Sequence, residues 1–436
     1  MKMICGDKKV ESLRVQTQLC RETDSKIELL SPAGDMESLK AAILYGADAV
    51  YIGANRFGLR ANAGFDIREL ASAVEYAHGY NVKVYLTCNI VANNSDVDRF
   101  PEFIKQVAQI GIDAVIISDL GIFDLVKTHA SNFDSGNLSV HISTQAGVMN
   151  YATANMLYNL GAKRIILARE LSLKEIMHIR ENTPPELELE AFVHGAMCMG
   201  FSGRCLISNY LTSRDANRGE CSQPCRWKYH LTEEMRPDEF YPVIEDDKGS
   251  YIFNSKDLCM IEHIPELVEA GITSFKIEGR AKTAYYSAII TNAYRAAIDT
   301  FRRGKVCPDW AIHEVNCVSH RPYCTGFYLN ENALQSYEQS GYIRDCDFVG
   351  VVDGYKDGVV EITQRNYFTV DDYLEVVSPG KPPEHFVINE MYNSSNELIT
   401  IANHAVEKLW IKCDVEFSAR AMIRRKNNPL MKGGRG

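Results

Sequence analysis

The chain repeats one pattern of apolar and polar positions through its first two thirds. A helical stretch ends at a glycine, a few residues follow, and a short apolar run begins. Copies of this pattern start at Gly46, Gly111, Gly161 and Gly271. Glycine tolerates the left-handed backbone that closes a helix, and the apolar run after it is typical of a buried parallel strand. The pattern therefore predicts alternating helices and strands.

Four further apolar runs bring the number of candidate strands to eight. These runs are Ile27–Leu30, Val82–Thr87, Leu138–Ile142 and Leu187–Val193. Eight βα units are the count of a TIM-type (β/α)8-like barrel, whose active site lies at the carboxyl ends of the strands. An open doubly wound sheet is the alternative, but no glycine-rich dinucleotide fingerprint follows the first strand. We therefore predict an α/β protein with a TIM-type barrel.

The pattern changes at about residue 340, where short alternating runs are separated by turn residues. Such closely spaced turns predict a small antiparallel β-barrel domain. We expect an N-terminal extension at 1–25, the barrel at 26–303 with an insertion at about 194–259, a linker at 304–340, the β domain at 341–427 and a tail at 428–436.

Composition adds limits on location and partners. Of the 436 residues, 46% are hydrophobic and 24% are charged, which are values near those of globular proteins. We find no run of ~18 apolar residues that would span a membrane and no signal-peptide pattern, and we expect a cytoplasmic protein. The net charge of −10 disfavours a generic nucleic-acid binder, although basic residues are concentrated in the insertion and near residue 425.

Five of the thirteen cysteines lie in the insertion with the spacing C-x6-C-x15-C-x3-C-x33-C: Cys198, Cys205, Cys221, Cys225 and Cys259. The residues around them are typical of loops rather than of a buried face. Thiols in a reducing compartment favour metal ligation over disulfides. Because only Cys221 and Cys225 form a close pair, the spacing favours an iron–sulfur cluster, with zinc as the alternative.

Polar side chains follow several predicted strands and should meet at one end of the barrel. They include Arg60, Asn62, Arg169, His194, Glu278 and Arg280. Glu278 and His194 are chemically suited to acid–base catalysis. The arginines and Asn62 are suited to bind a substrate, and a pair of arginines would bind a carboxylate. A strand-ending turn at His194 and a surface ion pair at Glu278 are the structural alternatives.

Several blocks of the sequence resemble a known family. EAFVHGAMCMGFSGRCLIS from Glu190 to Ser208 closely resembles the signature of the collagenase-like peptidases, family 32 among peptidases of unknown catalytic type. SPAGD at Ser31, GADAVYIG at Gly46, NRGECSQPCRW at Asn217 and FKIEGR at Phe275 are similar to other blocks of that family. The resemblance covers roughly residues 26–430.

The resemblance implies several activities. Some members carry a collagenase or protease label, whereas others are iron–sulfur proteins that hydroxylate tRNA uridine to 5-hydroxyuridine with prephenate, ribosomal RNA cytidine or the ubiquinone ring. In length and C-terminal domain this chain is most similar to the tRNA-modifying members. We therefore expect a tRNA-hydroxylating enzyme, with a peptidase or the hydroxylation of another RNA or a quinone as the alternative.

The resemblance also implies cofactors and partners. It places a [4Fe–4S] cluster on Cys198, Cys205, Cys221 and Cys259, with Cys225 as a ligand that some members use instead. The partners expected from it are tRNA, prephenate or a similar small carboxylate, and an external electron donor.

Overall fold

The computed structural model describes residues 27–58, 64–130, 138–197, 206–224, 227, 231–233, 236–241, 256–329, 342–413 and 415–427. Eleven strands belong to the first part of the chain: β1 (Glu28–Pro32), β2 (Ala49–Gly53), β3 (Lys83–Cys88), β4 (Ala114–Ile117), β5 (Ser139–Ile142), β6 (Arg164–Ile166), β7 (Glu188–Ala196), β8 (Leu231–Glu233), β9 (Arg236–Tyr241), β10 (Asp257–Cys259) and β11 (Ser274–Ile277).

Strands β1 to β7 and β11 form a closed parallel barrel. Each of β1 to β6 pairs with the next strand in sequence, and β11 pairs with both β7 and β1. All eight strands coincide with the predicted apolar runs, and the four glycines of the pattern have positive φ, from 81° at Gly271 to 107° at Gly161. The predicted TIM-like fold is confirmed.

Helices cover the outside of the barrel. They are α1 (Met36–Leu44), α2 (Ile67–Gly79), α3 (Asn94–Ile110), α4 (Leu120–Ala130), α5 (Tyr151–Asn159), α6 (Leu173–Glu181), α7 (Ile207–Thr212), α8 (Ile264–Glu269), α9 (Ala284–Arg302) and α10 (Asp309–Glu314). Short polar side chains fix their starts. Asp66, Asn93 and Ser172 each form a capping box that satisfies the first amides of a helix. No helix in the described ranges is long and apolar enough to cross a bilayer.

One irregularity in β7 affects the candidate site. Along the β7–β11 pair, Lys276 lies opposite Phe192 but Ile277 lies opposite His194, so Val193 is an extra residue. An extra residue exchanges the faces that later side chains occupy. The last part of β7 then pairs antiparallel with β10, where Cys259 lies opposite His194.

The lower half of the barrel interior contains a buried network of charges. Arg164 Nη1 lies 2.5 Å from Glu28 Oε1 and 2.9 Å from Glu190 Oε2, and its Nη2 lies 2.6 Å from Glu188 Oε2. Lys276 Nζ lies 2.8 Å from Glu190 Oε1. Burial alone would raise the pKa of Glu28, but the Arg164 guanidinium outweighs it and lowers that pKa below its ordinary value.

The chain continues through β12 (Tyr323–Cys324) into an antiparallel domain, as predicted. Its strands are β13 (Cys346–Lys356), β14 (Val359–Gln364), β15 (Phe368–Thr369), β16 (Leu374–Val377), β17 (Glu384–Phe386), β18 (Glu390–Tyr392), β19 (Leu398–Ile399), β20 (Ile401–Ala402), β21 (Lys408–Lys412) and β22 (Met422–Lys426). Eight of them form one curled sheet in the order β17-β16-β22-β13-β14-β21-β18-β19.

The β domain is attached to the barrel part by a buried ion network. Arg424 of β22 contacts Glu314 at the end of α10 with two hydrogen bonds of 2.7 and 2.9 Å, and Glu375 of β16 at 2.7 Å. Tyr45, after α1, donates a 2.7 Å hydrogen bond to the carbonyl of Val377. Buried charged contacts fix two surfaces in one geometry, because separating them would leave charges unpaired.

Candidate active site at the mouth of the barrel

Glu278 follows β11 and lies among side chains from neighbouring strand ends. Tyr51 Oη of β2 lies 3.4 Å from Glu278 Oε2. Arg169, after β6, places Nη2 3.9 Å from the same oxygen and its guanidinium 3.9 Å from the centre of the Phe192 ring. The Glu278 and Arg169 side chains are only 14% and 12% exposed, so their charges interact more strongly than those of a surface pair.

Lys276 lies deeper in the barrel than this group. The sequence patterns did not identify it as a candidate site residue. Its Nζ lies 4.4 Å from the centre of the Tyr51 ring and 5.5 Å from that of Phe192. Burial lowers the pKa of Lys276, and the neighbouring Glu190 carboxylate opposes that effect. A charged residue inside an apolar strand run, two positions before Glu278, is the sequence signal that would have identified it.

Arg280 reaches across the mouth to the ends of β2 and β3. It is 4% exposed and donates a hydrogen bond to Thr87 Oγ1. A Cβ added at Gly53 would lie 2.6 Å from Arg280 Nη1, so the end of β2 leaves room for the guanidinium only because residue 53 is glycine. The other predicted substrate contacts, Arg60 and Asn62, lie outside the described residues.

The ring of His194 lies in a layer of tyrosines. Tyr294 Oη lies 3.4 Å from its Nδ1 and Tyr323 Oη lies 3.5 Å from its Nε2. Burial lowers the pKa of His194 to about 3, so the ring is neutral near pH 7. The extra residue in β7 accounts for this orientation. Glu278 N donates a 2.8 Å backbone hydrogen bond to His194 O, and the acid–base pair of the two side chains stays a prediction.

The structure describes two of the five clustered cysteines. Cys221 is exposed, and the amide of Gln223 donates to its Sγ at 3.4 Å. Cys259 ends β10 with its Sγ 4.0 Å from Tyr294 Oη, and burial raises the pKa of this thiol to about 11. Cys198, Cys205 and Cys225 lie outside the described residues, and within those residues no three ligating side chains form a metal-binding group.

The loop that carries Cys221 is attached to the rim of the barrel. Arg218 Nη1 lies 2.8 Å from Asp96 Oδ2 at the start of α3, and Val91 N donates to Asn217 O at 3.1 Å. The amide that points at Cys221 is suited to a thiolate, because hydrogen bonds to the sulfurs stabilise thiolate-bound clusters. The Cys221 sulfur, with this amide beside it, therefore fits a thiolate-held metal or cluster beside the mouth.

Family models match most of the chain. The model for peptidase family U32 matches residues 34–338, and the model for the family's C-terminal domain matches residues 344–424. The chain belongs to peptidase family U32. This membership confirms the resemblance found in the sequence blocks.

Three curated U32 relatives differ in their names. The tRNA hydroxylation protein P of Escherichia coli is 35% identical over 92% of this chain and 97% of its own. An uncharacterized protease of Methanocaldococcus jannaschii is 43% identical over 80% of this chain and 86% of its own. The 23S rRNA 5-hydroxycytidine synthase of Escherichia coli is 38% identical, with 63% of this chain matching 39% of that protein.

Proposed function

We propose that this U32 protein is an RNA-modifying enzyme that hydroxylates a tRNA uridine to 5-hydroxyuridine. The observation that carries the proposal is the likeness to tRNA hydroxylation protein P, at 35% identity over nearly the whole length of both chains. The ribosomal relative is named for the same change, a hydroxyl group on carbon 5 of a pyrimidine in RNA. A shared reaction on two RNA substrates favours a common site in the shared barrel.

The mouth of the barrel supplies groups suited to this reaction. The target base must leave its stack to reach the mouth, at a cost of a few kcal/mol that is smallest in a single-stranded loop. Replacing the hydrogen on carbon 5 by hydroxyl oxidises the base by two electrons, so a co-reactant must supply the oxygen and be reduced in turn. The carbon-5 proton leaves as the C–O bond forms, and Glu278 is the carboxylate suited to accept it beside Arg169. Arg169 and Arg280 provide guanidinium groups for a small carboxylate partner such as prephenate.

The clustered cysteines would hold a [4Fe–4S] cluster. Cys198, Cys205, Cys221 and Cys259 are the ligands we propose, with Cys225 as the alternative to one of them and zinc as the alternative metal. When bound, such a cluster would supply electron transfer between an external electron donor and the co-reactant that gives the oxygen. Arg218 joins the Cys221 loop to Asp96 at the barrel rim, which supports a cluster site beside the mouth.

Deletion of the gene tests the proposed function. Nucleoside mass spectrometry of bulk tRNA should show the loss of 5-hydroxyuridine and of nucleosides made from it. The wild-type gene should restore them, and Cys221→Ala should not. An unchanged set of tRNA nucleosides in the deletion strain would refute the proposal.

A peptidase is the second candidate, because of the family name and the archaeal relative labelled a protease. Hydrolysis needs a nucleophile beside a base, or an open metal site. The histidines with described ring contacts lie against tyrosines, carboxylates or backbone carbonyls, as at His194, His78 and His385. Cleavage of gelatin by the purified protein, abolished by Glu278→Gln, would favour the peptidase.

A further inference from the structure

We propose that Gln145 reads the 4-position of the target base and selects uracil over cytosine. The inference rests on the proposed function and goes further, because it assigns a base-binding subsite to the strand ends opposite Glu278. The subsite consists of Asn89 after β3, and Ser143 and Gln145 after β5.

These three side chains form a compact hydrogen-bond network. Asn89 Nδ2 donates to Gln145 Oε1 at 2.5 Å and to Ser143 Oγ at 3.2 Å. Ser143 Oγ donates to Gln145 Oε1 at 2.9 Å and accepts from the amide of Gln145 at 3.4 Å. Ser118, after the intervening strand β4, donates to the carbonyl of Asn89 at 3.2 Å. Three adjacent strand ends therefore hold the Gln145 carboxamide in place.

In this network the Gln145 carboxamide directs its oxygen inward, toward Asn89 and Ser143. A serine hydroxyl has one hydrogen to donate. Because Ser143 Oγ already accepts from the Gln145 amide and from Asn89, its hydrogen goes to Gln145 Oε1. Both inward contacts of the carboxamide are therefore made by its oxygen. Its Nε2 has no hydrogen-bond partner among the described residues and is left as a donor at the half-buried surface of the mouth.

A fixed amide donor distinguishes the two pyrimidines of RNA. Uracil carries an oxygen acceptor at its 4-position, whereas cytosine carries an amino group that donates. Gln145 Nε2 can donate to the uracil oxygen, but against cytosine two donors would face each other. A site built around one hydrogen bond rejects the analogue that lacks it, because its buried polar groups are then left unpaired.

The neighbours of the subsite fit a base placed between Gln145 and the charged side of the mouth. Thr87 and Asn89 are two residues apart at the end of one strand, and side chains at that spacing share a face. Thr87 accepts the hydrogen bond from Arg280, so the guanidinium lies next to Asn89 along the strand. A base held at its 4-position by Gln145 has the adjacent carbon 5 free to face the arginines and Glu278.

Complementation of the deletion strain with Gln145 variants tests the inference in the cell. Gln145→Glu keeps the size of the side chain but replaces the donor by an acceptor, and Gln145→Met removes the donor without adding charge. Each should lower 5-hydroxyuridine in tRNA by about 10- to 100-fold, the range expected for one base contact. Gln109→Glu, on the exposed face of α3, is the matched control and should leave the level unchanged.

The outcomes separate this inference from the proposed function. If the wild-type gene restores no 5-hydroxyuridine, the proposed function fails. If the wild-type gene restores it and Gln145→Glu does so equally well, the proposed function stands and the base-reading role of Gln145 is overturned. Thermal melting of the purified variants shows whether a loss of product follows from unfolding.

An RNA analogue gives a readout that a merely structural role would not change. The full-length protein is titrated with an anticodon stem-loop carrying either uridine or pyrimidin-2-one, which lacks the 4-oxygen, at the position modified in the cell. Wild type should bind the uridine RNA about 10-fold more tightly, whereas Gln145→Met should bind both alike. Equal binding of the two RNAs by wild type would overturn the inference.

Discussion

Arg164 and Arg169 lie at opposite ends of the barrel interior and are held in different ways. Arg164 contacts three carboxylates at 2.5 to 2.9 Å. Arg169 instead donates to the carbonyl of Ala196 at 2.7 Å, lies over the Phe192 ring and stays 3.9 Å from Glu278. Arg164 therefore completes a charge network at the base of the barrel, whereas Arg169 lies at the mouth, where we propose that ligands bind.

The comparison separates stability from function. A buried charge that is paired on every side holds the fold together, because removal of one partner leaves the others uncompensated. A charge at the carboxyl ends of the strands whose contact with a carboxylate is long, as at Arg169, can exchange that contact for a ligand. Changes at the base of the barrel should therefore alter the free energy of unfolding, and changes at the mouth should alter the amount of RNA product. The predictions below test this division.

Removal of a cysteine ligand beside the mouth should have the largest effect, the loss of most bound iron. Protein purified without oxygen should be brown and contain about four irons per chain, as one [4Fe–4S] cluster requires. Alanine at each proposed ligand should remove the iron: Cys198, Cys205, Cys221 and Cys259. Cys225→Ala should retain most of it, and the buried Cys88→Ala is the control. Stoichiometric zinc without iron would contradict this assignment.

Breaking the network at the base should destabilise the barrel. Arg164→Met leaves Glu28, Glu188 and Glu190 without their shared cation, and it should lower the free energy of unfolding by about 3 to 5 kcal/mol. Urea titration of the purified variant measures the change. The matched control is Lys163→Met, because the Lys163 side chain is half-exposed and its contact with Glu188 is long, at 4.0 Å. A change of less than about 0.5 kcal/mol is expected there, and equal effects of the two variants would argue against the network.

Stability should fall between pH 7 and pH 5 because of histidines buried in the neutral form. Burial and the nearby Arg164 and Lys276 hold the pKa of His141 well below its ordinary value. Below pH ~6.5 the unfolded chain binds a proton that the folded chain does not. The free energy of unfolding therefore decreases as the pH falls. One such histidine should make the free energy of unfolding about 2 kcal/mol lower at pH 5 than at pH 7.

Replacing that histidine should flatten the pH profile. His141→Phe, compared with wild type by urea titration at pH 5 and pH 7, should remove about 2 kcal/mol of the difference. His404→Asn, at an exposed histidine of the β domain, should leave the profile as it is. A wild-type profile in His141→Phe would show that the ring is protonated in the folded barrel.

The barrel could be predicted from sequence because each βα unit carries its own local signal. The glycine that ends a helix and the apolar run that follows lie within a few residues of each other, as at Gly111 and Ala114–Ile117. Strand pairing in a barrel then follows the chain order. The same local reasoning placed Glu278, Arg169 and Arg280 at the mouth, where the structure has them.

The contacts within the site could not be predicted in this way. The network of Arg164 joins residues that are far apart in the barrel sequence, such as Glu28 and Glu190, and no local pattern connects them. Strict alternation along β7 would turn His194 into the mouth, but the extra residue at Val193 places it among tyrosines. A single bulge depends on the pairing with β11 and β10, which the β7 sequence does not contain.

The most direct test of the account compares two carboxylate variants, one at each end of the barrel. Each variant gene complements the deletion strain, and the amount of 5-hydroxyuridine in its tRNA is measured. Glu278→Gln changes the mouth, and Glu188→Gln changes the rim of the basal network, where Glu188 Oε2 lies 2.6 Å from Arg164. We predict that Glu278→Gln lowers the product at least about 100-fold, the low end of a general acid–base contribution, with unchanged melting. Glu188→Gln should keep the product. Wild-type amounts of 5-hydroxyuridine with Glu278→Gln would contradict the account.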